Sequence, residues 1–139
     1  MLLTYGFVLK PHVLDLVPGN SVVEYLVGEG FDVYNLDLGI SDAEDARLSL
    51  GDLVLDHVHG AVQEVLETSG ADEISLFGQS QSGTLRAMYA SLFPRGPLKN
   101  LVLLSTPTQS SPQEKPGGHG ALDDSEPQQW CVLRSTDGV

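Results

Sequence analysis

Four short apolar runs, each separated from the next by an amphipathic stretch or a turn, organise the chain as far as Pro107. Leu2–Leu9 is mostly apolar and reads as a buried strand, and Phe31–Asp37, Ile74–Phe77 and Leu101–Ser105 read as three more. Between the first two, Val22, Val23, Leu26 and Val27 form an apolar stripe that ends at Gly28 or Gly30. Ser21 opens it, with Glu24 three residues on in a capping-box pattern. Ser49 and Asp52 repeat that pattern, and Leu50, Leu53, Val54, Val58, Val62, Val65 and Leu66 then recur at helical spacing until Gly70. A third helix is predicted from about Ser80, with Leu85, Met88, Tyr89 and Leu92 inward and Pro94 as its stop. Strands alternating with helices pair in parallel through right-handed crossovers. The pattern therefore predicts an α/β fold, a three-layer parallel sheet of about four strands flanked by three helices.

Beyond Pro107 the periodicity stops. Gln109–Gln129 is rich in Ser, Pro, Gly, Gln and acidic residues, a composition that cannot build a packed core. Trp130-Cys131-Val132-Leu133 is a short apolar patch within it. The expected organisation is a folded body over 1–108 and a disordered, unrelated tail over 109–139, with the look of a truncated end.

The join between the third strand and the third helix carries the chemistry. Ile74-Ser75-Leu76-Phe77 runs into Gly78-Gln79-Ser80-Gln81-Ser82-Gly83, the order strand, sharp turn, helix of a nucleophile elbow, usually G-x-S-x-G. Such a turn holds its middle residue, here Ser80, in a strained backbone geometry with the side-chain oxygen pointing out of the sheet. Small neighbours are required because the new helix doubles back close to the strand. Ser82 stands where the second glycine belongs, and Gly83 follows it. An ordinary βα turn rich in small residues would read the same in isolation.

The flanking segments separate those readings. Met1–Pro11 followed by Val13-Leu14-Asp15-Leu16, then Ser21-Val22-Val23-Glu24 through Gly30–Tyr34, resembles the polyhydroxyalkanoate synthase family. Asp37-Leu38-Gly39, Leu50–Val54, Gly83-Thr84-Leu85 and Asn100–Pro107 extend the resemblance, which covers residues 1–108. It implies a partial α/β-hydrolase fold with the elbow strand central and Phe31–Asp37 and Leu101–Ser105 at opposite edges. On that arrangement Leu101–Leu104 is an open apolar ladder, which invites self-association. The resemblance implies acyl transfer from a hydroxyacyl coenzyme A thioester, with no bound cofactor and with room for a synthase partner subunit. Ser80 occupies the position of that family's cysteine nucleophile, which also admits a serine esterase, a non-catalytic subunit or an inactive remnant. The oxyanion hole would combine the backbone N–H of Gln81 with one from the loop near Val8. Where family members tend to have Asn-Arg-Pro, this chain has Leu9-Lys10-Pro11.

The rest of the triad is hard to place. In α/β-hydrolases the acid and the histidine follow the nucleophile in the chain, and only His119 follows Ser80 here. It lies in a glycine-flanked stretch with no scaffold, so a catalytic role is not expected of it. His12, His57 and His59 read as surface or loop residues, Asp37 as a loop cap, and Asp42, Glu44 and Asp45 as a solvated cluster. An inactive chain is the expectation, since a serine hydroxyl depends on a base more than a thiol does.

Composition narrows the partners. With 19 acidic against 7 basic residues the net charge is −12, which argues against binding nucleic acid phosphates. The acids are scattered, as on the solvated surfaces of salt-adapted proteins or of any acidic soluble one. One cysteine, Cys131, excludes an internal disulfide, and no Cys/His cluster has the spacing of metal ligands. No apolar run approaches the ~18 residues of a membrane span, and Met-Leu-Leu-Thr-Tyr-Gly lacks a basic signal-peptide start. A cytoplasmic location is expected, with association to polymer granules as the resemblance implies.

Overall fold

A computed structural model describes residues 1–6, 11–37, 48–107 and 131–134, with backbone alone at residues 11 and 131–134. Strand β1 (Leu2–Thr4) comes first, and a 3-10 turn at Pro11–Leu14 leads into a small hairpin of β2 (Asp15–Val17) and β3 (Asn20–Ser21). Helix α1 (Val22–Gly28) and strand β4 (Tyr34–Asn35) follow. Then α2 (Leu50–Asp52), a π-helical stretch (Leu53–Val58) and α3 (His59–Ser69) form one unbroken helical run. Strand β5 (Ile74–Gln79), helix α4 (Gln81–Leu92), β6 (Leu98–Leu104) and β7 (Cys131–Arg134) complete the order.

The capping residues act as their spacing predicts, with one difference. Ser49 and Asp52 form a complete capping box, the Asp52 N–H donating to Ser49 Oγ at 3.2 Å and the Ser49 N–H to Asp52 Oδ2 at 2.8 Å. Ser21 Oγ accepts from the Glu24 N–H at 2.8 Å, but the Glu24 carboxylate accepts from the Gly19 N–H at 2.6 Å. Gly19 lies in the β2–β3 turn, and its amide takes the carboxylate, so this box is half formed.

The main sheet runs β4-β1-β5-β6-β7, and its first four strands are parallel. The elbow strand β5 is central, and β4 is one edge, as expected. Residues alternate between faces along each strand. Leu2, Leu76, Leu101 and Leu103 face the buried Val54, Val58, Val62, Leu85 and Tyr89 of the long helical run and α4. Leu3, Tyr5 and Phe77 face the other layer, where Val23 and Leu26 of α1 pack. The predicted stripes are narrower than drawn, because Val22, Val27, Leu50 and Leu92 are exposed.

One expectation is corrected. Leu101–Leu104 is not an open ladder, because β7 pairs with β6 antiparallel, Leu103 opposite Cys131 and Asn100 opposite Arg134. The apolar patch that interrupts the polar tail supplies that strand, so Cys131–Arg134 does not belong to a disordered segment. Its backbone occupies the N–H and C=O row that an edge strand would otherwise present. The expected self-association through this edge loses its basis. Among the described residues no helix is long and apolar enough to cross a membrane.

Candidate active site

A single residue, Ser80, separates β5 from α4. Its φ of 57° and ψ of −132° lie in a region that L-residues with a side chain rarely adopt. Holding a serine there costs about 1–3 kcal/mol and requires the surroundings to over-determine the turn. They do so by hydrogen bonds and by close contact. The Ser80 N–H donates to the Leu104 carbonyl at 2.9 Å, and the Ser80 carbonyl accepts from the Gly83 N–H at 3.0 Å. Ser82 Oγ accepts from the Gln79 N–H at 3.1 Å, and its hydroxyl lies between the carbonyls of Gln79 (2.8 Å) and Thr4 (2.9 Å). A Cβ on Gly78 would sit 2.5 Å from Gly83 Cα, and one on Gly83 would sit 1.9 Å from Thr106 Oγ1. Strand and helix thus touch backbone to backbone at the turn.

The expected site residues fall into three groups. Ser80 is half-buried at the head of α4, and Gln81 is the first residue of that helix, whose first-turn N–H groups have no acceptor within the helix. Val8, Asp42, Glu44, Asp45 and His119 lie outside the described residues. The remaining histidines are described, and none is hydrogen-bonded to Ser80 among those residues. His12 and His57 are exposed, whereas His59, expected at the surface, is half-buried. Its ring stacks on Phe93 at 4.8 Å between centroids and lies 6.1 Å from Tyr89. Tyr89 is nine residues along α4 from Ser80, about 13 Å at the helical rise, so His59 serves the far end of that helix. Asp37, expected to cap a loop, accepts a hydrogen bond from the Tyr5 hydroxyl 32 residues away. No group of three or more metal-ligating side chains is gathered among the described residues.

A family model described as alpha/beta hydrolase fold matches residues 5–125. The chain belongs to that family. Within this hydrolase family it is polyhydroxyalkanoate synthase-like. The poly(3-hydroxyalkanoate) polymerase subunit PhaC of Haloferax mediterranei is 40% identical over 105 residues, which cover 76% of this chain and 21% of the relative. The subunit of the same name from Thiocystis violacea is 35% identical over 107 residues, covering 77% of this chain and 30% of the relative. That of Synechocystis sp. is 36% identical over 117 residues, covering 84% and 30%. The chain thus spans less than a third of the length of these curated relatives.

Arg86 is the residue that sequence reasoning missed. It is fully buried on α4, and its Nη2 donates to Thr4 Oγ1. Nε and Nη1 are buried and have no partner among the described residues. The signal was its register: Ser82, Leu85, Arg86 and Tyr89 share one helical face, and all four are buried.

Burial sets Arg86 and Tyr5 against each other at alkaline pH. Burial lowers the Arg86 guanidinium to about 10. The Tyr5 hydroxyl is pushed up to about 12, by burial first and then by its hydrogen bond to Asp37 and that residue's charge. Between about pH 10 and 12 the folded chain keeps a Tyr5 proton that the unfolded chain releases, so stability falls as pH rises. Over the same window the unfolded chain keeps an Arg86 proton that the folded chain releases, so stability rises. Relative to the parent, Arg86→Met should steepen the alkaline loss of stability and Tyr5→Phe should lessen it. Denaturant midpoints at about pH 9.5 and 11.5 check the signs.

Proposed function

We propose that this chain is a polyhydroxyalkanoate synthase-like acyl-transfer body with Ser80 at the nucleophile position. The Gln81 N–H, together with an N–H from the loop near Val8, would stabilise the oxyanion. The observation that carries the reading is the backbone of Ser80, a non-glycine at positive φ between a central parallel strand and a helix. A relative named for poly(3-hydroxyalkanoate) polymerase supports the substrate class, a hydroxyacyl thioester of coenzyme A. Ser80 Oγ would attack the thioester carbonyl, its proton passing to solvent water, and the tetrahedral oxyanion would collapse with loss of the coenzyme A thiolate. The hydroxyl of a growing chain would then take the acyl group from Ser80. An apolar groove of about 370 Å³, lined by Thr84, Ala87, Met88, Ser91, Leu92 and Pro107, begins one helical turn from Ser80 and offers an acyl chain room.

With no histidine at Ser80 among the described residues, the attack relies on the oxyanion donors and on binding, worth ~10³–10⁴-fold over water in a hydrolase stripped of its triad. The chain alone is therefore read as inactive in polymerisation, working in the cytoplasm at polymer granules with a synthase subunit. The hydroxyl in place of a thiol favours one other reading, a serine esterase. Intact-mass measurement after incubation with p-nitrophenyl butyrate should show one butyryl adduct, absent from Ser80→Ala. An adduct on another residue, or none, removes Ser80 from the nucleophile position. Polymer formed from 3-hydroxybutyryl coenzyme A by the chain alone, and lost in Ser80→Ala, would overturn the claim of inactivity.

A further inference from the structure

Thr4 is the last residue of β1 and stands opposite Gly78, the first glycine of the elbow. Two side chains of α4, four residues apart and so on one face of the helix, reach Thr4 from the same side. Ser82 Oγ contacts its carbonyl at 2.9 Å, and Arg86 Nη2 donates to its hydroxyl. All three residues are fully buried.

We propose that Ser82 and Arg86 are positioning residues that clamp the end of β1 against the first turn of α4, and so hold the turn that presents Ser80. The clamp rests on the reading of Ser80 as the acyl acceptor. Stability alone does not account for Arg86. Among the described residues only Nη2 of its guanidinium nitrogens has an acceptor, and a buried charge with unmet donors is a poorer core residue than an apolar side chain of like volume. Burial lowers the guanidinium to about 10, so it remains charged and fully able to donate at neutral pH. What the arginine adds is direction. A methionine at this site would fill the space but could not fix where Thr4 lies relative to the first turn of α4. Ser82 contributes the complementary restraint, because its hydroxyl also bonds Gln79, the residue before the nucleophile.

The test uses the full chain with Arg86→Met, Arg86→Lys and Thr4→Val, scored by three readouts. Arg86→Met should keep or raise the melting temperature, because a buried charge is removed. It should nevertheless slow butyrylation of Ser80 about tenfold with the half-saturating ester concentration unchanged, the signature of misplacement rather than lost binding. Thr4→Val should slow it similarly, and the double variant Thr4→Val/Arg86→Met no further, because both remove one interaction. Arg86→Lys, which retains a donor for Thr4 Oγ1, should recover most of the rate. Amide hydrogen exchange at Tyr5, Gly6 and Gln81 should quicken in Arg86→Met and return toward the parent in Arg86→Lys. Unchanged exchange in Arg86→Met overturns the clamp, and faster exchange with an unchanged acylation rate overturns its role in reactivity. If the parent chain takes up no butyryl group, the assignment of Ser80 fails, and the exchange rates still decide whether the clamp exists.

Discussion

A Gly78→Ala variant is expected to lose its native fold under conditions where the parent chain is folded. The added Cβ would lie 2.5 Å from Gly83 Cα, 2.8 Å from Gly83 N and 3.1 Å from the Ser82 carbonyl carbon. These are backbone atoms in the first turn of α4, so no rotamer change relieves the overlap. Helix and strand must separate, and α4 carries Leu85 and Tyr89 into the larger core. Overpacking by a methyl group ordinarily costs about 1–3 kcal/mol, and the rigid partner here places the cost above ~3 kcal/mol. Against a total margin of about 5–15 kcal/mol for a typical domain, a loss of that size is disabling in a body this small. Gly83→Ala is the control. Its Cβ would meet the Thr106 side chain, with Oγ1 at 1.9 Å, Cγ2 at 2.8 Å and Cβ at 2.9 Å. Gly83→Ala alone should be destabilised to a similar degree, and Gly83→Ala/Thr106→Gly should return to within about 1 kcal/mol of a Thr106→Gly chain. Thermal melts followed by circular dichroism compare them. A Gly78→Ala chain that melts like the parent would show that α4 does not pack against β5 at this distance.

Replacing Ser80 by glycine should raise stability while ending acylation, and replacing it by alanine should end acylation without the gain. The positive φ of Ser80 imposes a strain of about 1–3 kcal/mol, which glycine does not feel. Glycine also loosens the unfolded chain, which offsets about 0.5–1 kcal/mol of that relief. The net expectation is a gain of about 1 kcal/mol, a rise in melting temperature on the order of 4 °C for a chain of this size. Alanine has a Cβ and stays strained, so the difference between the two variants measures what the turn stores to present its hydroxyl. Ser80→Gly and Ser80→Ala chains of equal stability would mean that the turn relaxes, and the elbow would then be an ordinary βα connection. Both variants should give no butyryl adduct in the mass measurement.

The elbow was legible because everything that forms it is local. An apolar run, Gly78, Ser80 and the small residues behind it lie within ten positions, and backbone sterics alone relate them. The long helix was legible for the same reason, since Ser49 and Asp52 cap its start and the buried Val54, Val58 and Val62 keep its period. Strand limits were less so. The predicted Phe31–Asp37 shortens to Tyr34–Asn35, and Phe31 is exposed beside the strand that ends the described sheet. The predicted Leu101–Ser105 begins earlier, at Leu98, because β5 offers partners there.

The pairing of Cys131–Arg134 with β6 was not legible at all. Four apolar-rich residues in a polar tail carry no sign of which edge they will join, and only the free row of N–H and C=O groups on β6 selects them. The same limit explains Arg86 and Ser82. Their contacts with Thr4 span 82 and 78 residues, and a polar side chain on a helical stripe says nothing of what will face it. By itself, then, the sequence determined the alternation of strands and helices and the sharp turn at Ser80, which depend on neighbours along the chain. Only the tertiary structure decided what backs that turn, because the acceptors that orient it are supplied by strands that are close in space and distant in sequence.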